Sequence, residues 1–360
     1  MVYITNFVAA LATASIVGTA VAHPGESHSH AQVRRDIEKR DYFAAQAKRG
    51  LEACSNSIKA RELDARAISR RTAKAEKLRA ARGISNTKPV LARRNLTALE
   101  DFETHNHNLT STYTAEMELF SSNGSTSCIL TPEVTIGPYN IHGELIRSNI
   151  TEDQDGVPVH LEFQFVDINT CEGVQDMMLD VWAANATGVY SGVDISGNAA
   201  PLNTKFLRGL QATDSDGVAS FDTIFPGHYA GRAIHQHVIS HYNYTILPNN
   251  TIVGGDINHI GQLFFDEALR TAVEATYPYN TNTQAVVSND DDQWAPSQAD
   301  NNYDPFPDFV YLDAEDITQG LLMWISVAID PTANYTSEAV FAGSWNGETT
   351  IEHTNDLEGV

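Results

Sequence analysis

The sequence predicts an all-β domain, a sandwich or barrel, behind a helical N-terminal leader. Three observations predict it. From Pro132 onward, short apolar runs are separated by Gly, Asp and Asn turn clusters. The run Val157 to Val166 alternates apolar and polar residues with period two, the mark of a half-buried strand. Helical patterns are few, and the longest, residues 55–83, lies before the strand-rich part and is rich in Ala, Leu, Arg, Lys and Glu.

The elements follow in order. Ile4 to Ala20 is a run of apolar and small residues ending in Ala20-Val21-Ala22, which reads as a secretory signal peptide over 1–22. Residues 23–94 form a basic helical leader with paired basic residues at Lys39-Arg40 and Arg93-Arg94, a candidate pro-segment; a helical arm that stays attached is the other reading. Its apolar stripe is modest: Leu63, Ala67, Ala73 and Leu78. Residues 95–130 read as a linker, 131–345 as the β domain and 346–360 as an acidic tail. Within the β domain, Met177 to Trp182, Val218 to Ile224, Ala233 to His241, Val310 to Leu312 and Leu321 to Ile329 read as strands. Asp266 to Tyr277 reads as a helix, and 278–308 as a long Asn/Asp/Pro-rich loop.

Net charge and modification signals narrow the function classes. The net charge of −23 is split, with 18 of the 23 Lys and Arg in residues 1–94 and a strongly acidic remainder. So acidic a surface repels nucleic acid and anionic membrane, which excludes both as partners of the mature part. Eight Asn-x-Ser/Thr sequons, at Asn95, Asn108, Asn123, Asn149, Asn185, Asn243, Asn249 and Asn334, agree with export and an extracellular location. The three cysteines fit one disulfide and a leftover; Cys128–Cys171 is the expected pair, because Cys54 lies in the leader.

The chemistry concentrates in three stretches: Trp182 to Tyr190, Asp216 to Tyr229, and Arg232 to His237. His235 and His237 are two apart on a predicted strand, so both imidazoles share one face and can share a metal ion. Tyr229 and Arg232 follow the Pro226-Gly227 bend close by. Phenolate is a hard oxygen donor suited to Fe(III), and a trivalent ion pulls a tyrosine pKa down from about 10.

Taken together, Trp-x-x-Asn-x-x-Gly-x-Tyr ending at Tyr190, Asp-x-x-Gly through Thr-Ile-x-Pro-Gly-x-Tyr ending at Tyr229, and Arg-x-x-His-x-His over Arg232 to His237 resemble the intradiol ring-cleavage dioxygenases. The likeness spans roughly residues 131–266, and the signal and leader are similar to an extracellular fungal branch. The resemblance implies a β-sandwich with non-haem Fe(III) bound by Tyr190, Tyr229, His235 and His237. It implies that Tyr190 is the ligand a bound diol displaces and that Arg232 stabilises anionic intermediates. Gln262, and Tyr139 in Gly137-Pro138-Tyr139, become substrate-lining positions. The implied partners are a small aromatic diol and O2, with ring opening between the hydroxylated carbons to a muconate-type diacid, and a possible homodimer. The spacing between Tyr229 and Arg232 is shorter than in the catechol and protocatechuate enzymes. That leaves two alternatives: a secreted binding protein that keeps the metal site without turnover, and a zinc hydrolase built on the histidine pair.

Overall fold

The computed structural model describes residues 57–84, 107–112, 139–195, 198–292, 294–298, 304–336 and 341–352, with scattered positions between 35 and 54. The apolar run at 4–20, the basic pairs Lys39-Arg40 and Arg93-Arg94, Cys128, Asn95 and Asn123 lie outside the described residues. Helix α1 spans Ile58–Ala81 and precedes strands β1 (Ile141–His142), β2 (Pro158–Asp167), β3 (Met178–Trp182), β4 (Asp194–Ile195) and β5 (Asn198–Ala199). Strands β6 (Arg208–Ala212), β7 (Val218–Ile224), β8 (His235–Tyr242), β9 (Thr245–Ile246), β10 (Ile252–Val253) and β11 (Asp256–Phe264) follow. The chain then runs through α2 (Glu267–Glu274), α3 (Ala295–Gln298), β12 (Asp308–Tyr311), β13 (Leu321–Ile329), β14 (Gly343–Trp345) and β15 (Thr350–Glu352).

Two four-stranded sheets, ordered β11-β8-β3-β6 and β12-β13-β2-β7, face each other as a sandwich. In the second, β13 runs parallel to β2 while the other pairings are antiparallel. The core between the sheets takes alternate residues: Leu161, Phe163 and Phe165 from β2, Leu179 and Val181 from β3, Met323, Ile325 and Val327 from β13. Side chains two apart point the same way, so one periodic run fills one face. A further sheet, β1-β14-β15, shares an apolar cluster with the first sandwich sheet through Ile141 and Trp345 beside Trp182 and Ile239, and its last strand ends at Glu352.

The half-buried strand expected at Val157 to Val166 is instead buried on both faces over most of its length. The cause is α1, which lies across the outer face of the second sheet, where Ala75, Ile68 and Leu78 pack on Val310, Leu322 and Trp324. Its buried stripe is Leu63, Ala67, Arg71, Ala75 and Arg79: the predicted Leu63 and Ala67 hold and Leu78 packs half-buried, but Ala73 is exposed and two arginines join the packed face. Each of these arginines finds a partner there. Arg71 Nε donates to Glu162 Oε1 at 2.6 Å, and its guanidinium lies 5.2 Å from the Trp324 ring centre. Arg70 forks onto both Glu162 oxygens at 3.1 and 2.9 Å, and Arg79 donates to the Leu312 and Tyr311 carbonyls. Burial alone would raise the Glu162 pKa, but Arg71 and Arg70 outweigh it and hold the carboxyl below its ordinary value.

The docked leader also changes the disulfide. Cys54 bonds Cys171, 117 residues away, in place of the expected Cys128–Cys171 pair. With the N-cap of α1 at Ser57, the chain just before it is brought against the turn after β2, which places Cys54 beside Cys171.

Elsewhere the local signals hold. Asp266 caps α2 by accepting from Leu269 N at 2.7 Å, and Leu269 and Val273 are buried one turn apart. His107, buried beside β12, faces Asp304 at 3.5 Å and Asp308 at 3.7 Å. Burial would lower its pKa, but Asp304, Asp308 and Asp266 together raise it to about 9.

Replacing Glu162 with Gln leaves Arg71 buried without its counter-charge and is expected to lower the unfolding free energy by about 3–5 kcal/mol, read from urea unfolding. The His107 pair sets an alkaline limit. Because its folded pKa lies above the unfolded value of about 6.5, its contribution is complete below that pH and is lost as pH rises through about 9. Urea midpoints measured from pH 6 to 10 should fall over this window, and His107→Gln should flatten the fall.

Candidate metal centre

Period two on β8 places His235 and His237 on the outer face of the first sheet, away from the core. Their Nε2 atoms lie 3.0 Å apart. His235 Nδ1 lies 2.7 Å from Ala233 O, so Nδ1 carries the proton and Nε2 presents its lone pair. Trp182, the end of the neighbouring strand β3, stacks on His237 with ring centres 4.7 Å apart and planes 2° from parallel. That contact fixes the plane of one imidazole.

The two tyrosines arrive on loops. Tyr190 closes the turn after β3, where Asn185 Oδ1 accepts from Thr187 N and Val189 N. Asn198 then clamps the Tyr190 backbone, accepting from its N at 2.6 Å and donating to its O at 3.0 Å. Tyr229 follows the bend after β7, and the short spacing to Arg232 closes as a tight turn, with a bridge between the two residues and Gly231 at φ +96°. The phenol oxygens approach His235 Nε2 at 3.5 Å (Tyr190) and 3.3 Å (Tyr229). Gln284 staples the two loops together. Its Nε2 donates to Thr187 O and Gly188 O, and its Oε1 accepts from Ala230 N.

The structure thus brings all four predicted donors to one buried point. A first-row ion held by imidazole at about 2.0–2.1 Å needs donor atoms about 3.0–3.5 Å from one another, and the three separations fall in that range. Two phenol oxygens and two imidazole nitrogens also form a donor set that suits iron. Burial raises the pKa of both Tyr190 and Tyr229, against the pull of Arg232, so these phenols keep their protons until a cation arrives. The residues present fit the metal.

The remaining predicted residues line the same place. Tyr139 stacks on Tyr190 with ring centres 4.3 Å apart and meets Tyr229 edge-on. Gln262 stands opposite His237 in the β11–β8 register and accepts from Arg232 Nη2 at 2.6 Å. Arg232 is fully buried beside the Phe264 ring. Sequence reading missed its counter-ion. Asp292 Oδ2 accepts from Arg232 Nε at 2.8 Å and Oδ1 from Nη2 at 3.2 Å. Asp292 sits in the Asn289-Asp290-Asp291-Asp292 run of the long loop, and nothing local separates it from its exposed neighbours. Burial would raise its pKa, but Arg232 draws it down to about 2. Arg208 was missed as well; it is buried under the site and donates to the Tyr139 and Ser191 carbonyls.

Fold and site define the class: a β-sandwich protein with a two-tyrosine, two-histidine donor cluster on an outer sheet face. Among solved structures, the chain is 31% identical to an intradiol ring-cleavage dioxygenase from Tetranychus urticae, over 58% of this chain and 98% of that one, with a TM-score of 0.48. It is also similar to the dioxygenase domain of a dioxygenase carbohydrate-binding protein fusion from Streptomyces sp. SirexAA-E, at 22% identity over 56% and 98% of the two chains (TM-score 0.34). Catechol 1,2-dioxygenase from Pseudomonas arvilla C-1 is 18% identical over 60% and 66% (TM-score 0.32). No family model and no curated protein matches the chain. The sequence identity along nearly the whole Tetranychus protein carries the assignment, and this chain belongs to the intradiol ring-cleavage dioxygenases. It is an oxidoreductase of a generally Fe(III)-dependent family.

One substitution tests how the loops set the cluster. Gly188 has φ +78°, and a Cβ there would meet His228 O at 2.1 Å and Gln284 Nε2 at 2.4 Å. Gly188→Ala is expected to cost about 2–4 kcal/mol, read as a lower melting temperature, because the Tyr190 loop must move off the Tyr229 loop.

Proposed function

We propose that the chain holds Fe(III) at Tyr190, Tyr229, His235 and His237 and cleaves a catechol-type diol with O2. Both oxygen atoms enter the product, a muconate-type diacid opened between the hydroxylated carbons. The observation that carries the reading is the convergence of two phenol oxygens and two imidazole nitrogens on buried side chains, with separations of 3.0 to 3.5 Å.

When bound, the ferric ion supplies a Lewis-acidic redox centre for the diol and O2. The protein supplies geometry, charge and protons. His235 is held in one tautomer by the Ala233 carbonyl, and His237 in one plane by Trp182. The motif that ends at Tyr190 assigns it, by its resemblance to the family, as the tyrosine that would take a proton from a diol hydroxyl. The stacked ring of Tyr139 holds the plane of the Tyr190 ring. Arg232 is held in one orientation by Gln262 and Asp292, so it meets the ring as a fixed guanidinium whose charge Asp292 already balances. We also read the protein as secreted and glycosylated. Asn149, Asn243, Asn249 and Asn334 are exposed, which supports glycans there. Asn185 is committed to its turn and to Gln154, which argues against one at that sequon.

The test is the visible spectrum of the purified protein, before and after anaerobic catechol. A broad tyrosinate–iron band that moves to longer wavelength with catechol is expected, and Tyr229→Phe should weaken the starting band. A protein that stays colourless after reconstitution with iron would sink the four-ligand assignment.

A further inference from the structure

Arg232 is buried beside the donor cluster, and an arginine so placed would ordinarily grip a carboxylate on the substrate ring. Two N–H groups on one edge of a guanidinium match two carboxylate oxygens. In this chain that edge is already taken. Asp292 Oδ2 accepts from Arg232 Nε at 2.8 Å and Oδ1 from Nη2 at 3.2 Å. The Asp292 carboxylate is anchored from behind by Ala233 N at 2.8 Å, Trp294 N at 2.8 Å and Ala295 N at 3.0 Å. Arg232 Nη2 donates in addition to Gln262 Oε1 at 2.6 Å. Both partners of the ion pair have side chains 0% exposed.

The electrostatic consequence is direct. A second carboxylate brought to Arg232 would place two anions around one cation where water cannot screen them. Arg208 offers no substitute. Its nitrogens are committed to Ser191 O, Ser191 Oγ and Tyr139 O, with Glu144 at 3.6 Å.

We propose that Asp292 is a specificity-determining residue that closes this site to ring-carboxylated diols by occupying and neutralising Arg232. Asp292 acts through Arg232 and does not itself touch the ring. The inference rests on the catechol-type reading above.

The test compares anaerobic binding of three diols to the iron-loaded protein by calorimetry: catechol, 3,4-dihydroxybenzoate and its neutral isostere 3,4-dihydroxybenzamide. The wild type should bind catechol and the amide within about threefold of each other and the carboxylate at least about tenfold more weakly. Asp292→Asn frees the charge of Arg232 and should narrow the catechol-to-carboxylate ratio by about tenfold, leaving the catechol-to-amide ratio in place. Equal wild-type affinity for carboxylate and amide overturns the proposal, since charge then plays no part. This comparison decides even if Asp292→Asn does not fold. A folded Asp292→Asn protein with an unchanged carboxylate ratio overturns it as well. Failure of the wild type to bind any of the three diols is a different result: it removes the catechol reading and this inference with it.

Discussion

The 3.0 Å approach of the His235 and His237 Nε2 atoms is the contact around which the rest of the site is arranged. The two ring nitrogens sit within hydrogen-bond distance, and the fold holds them there from several sides. Strand β8 lies between β11 and β3, so its backbone cannot shift to relieve the approach. Trp182 presses one ring flat, and the Ala233 carbonyl fixes the proton of the other. The tyrosine loops close over the pair, tied to each other through Gln284. A bound metal ion would take these nitrogens as ligands, and the supporting side chains hold them in position in advance.

The same logic governs charge throughout the described residues. A strongly basic leader and a strongly acidic domain look, in composition, like two separate objects. In the fold they are complementary surfaces. Arg66 and Arg70 reach Asp216, Arg70 and Arg71 reach Glu162, and Lys59 reaches Glu172. The buried pairs matter most, because removing one partner strands the other in low dielectric. Arg232 with Asp292 is the same device placed beside the tyrosine–histidine cluster, where it fixes an orientation and also cancels a charge.

Where local chemistry decides, the sequence was readable. The β8, β2 and β13 strands and the helix that opens at Asp266 follow from periodicity and residue type within a few positions. The side chains that converge, Tyr190, Tyr229, His235 and His237, were legible because the spacing of the motifs survives as a pattern along the chain. The arginines in the α1 stripe were not, since a hydrophobic pattern places Arg71 and Arg79 outside, whereas Glu162 and the Tyr311 and Leu312 carbonyls draw them in. The Cys54–Cys171 bond was hidden for the same reason: it depends on the helix having docked.

The sequence by itself determined that strands alternate, that two histidines share a face and that phenols and imidazoles are present in the order an intradiol site requires. These are properties of spacing within one segment or of motifs read in turn. Tertiary structure alone decided which charges meet. Arg232 and Asp292 are 60 residues apart, Arg71 and Glu162 are 91 apart, and the bonded cysteines are 117 apart. Ion pairs and disulfides depend on distance and desolvation between segments, and the order of residues along a chain encodes neither until the segments have packed.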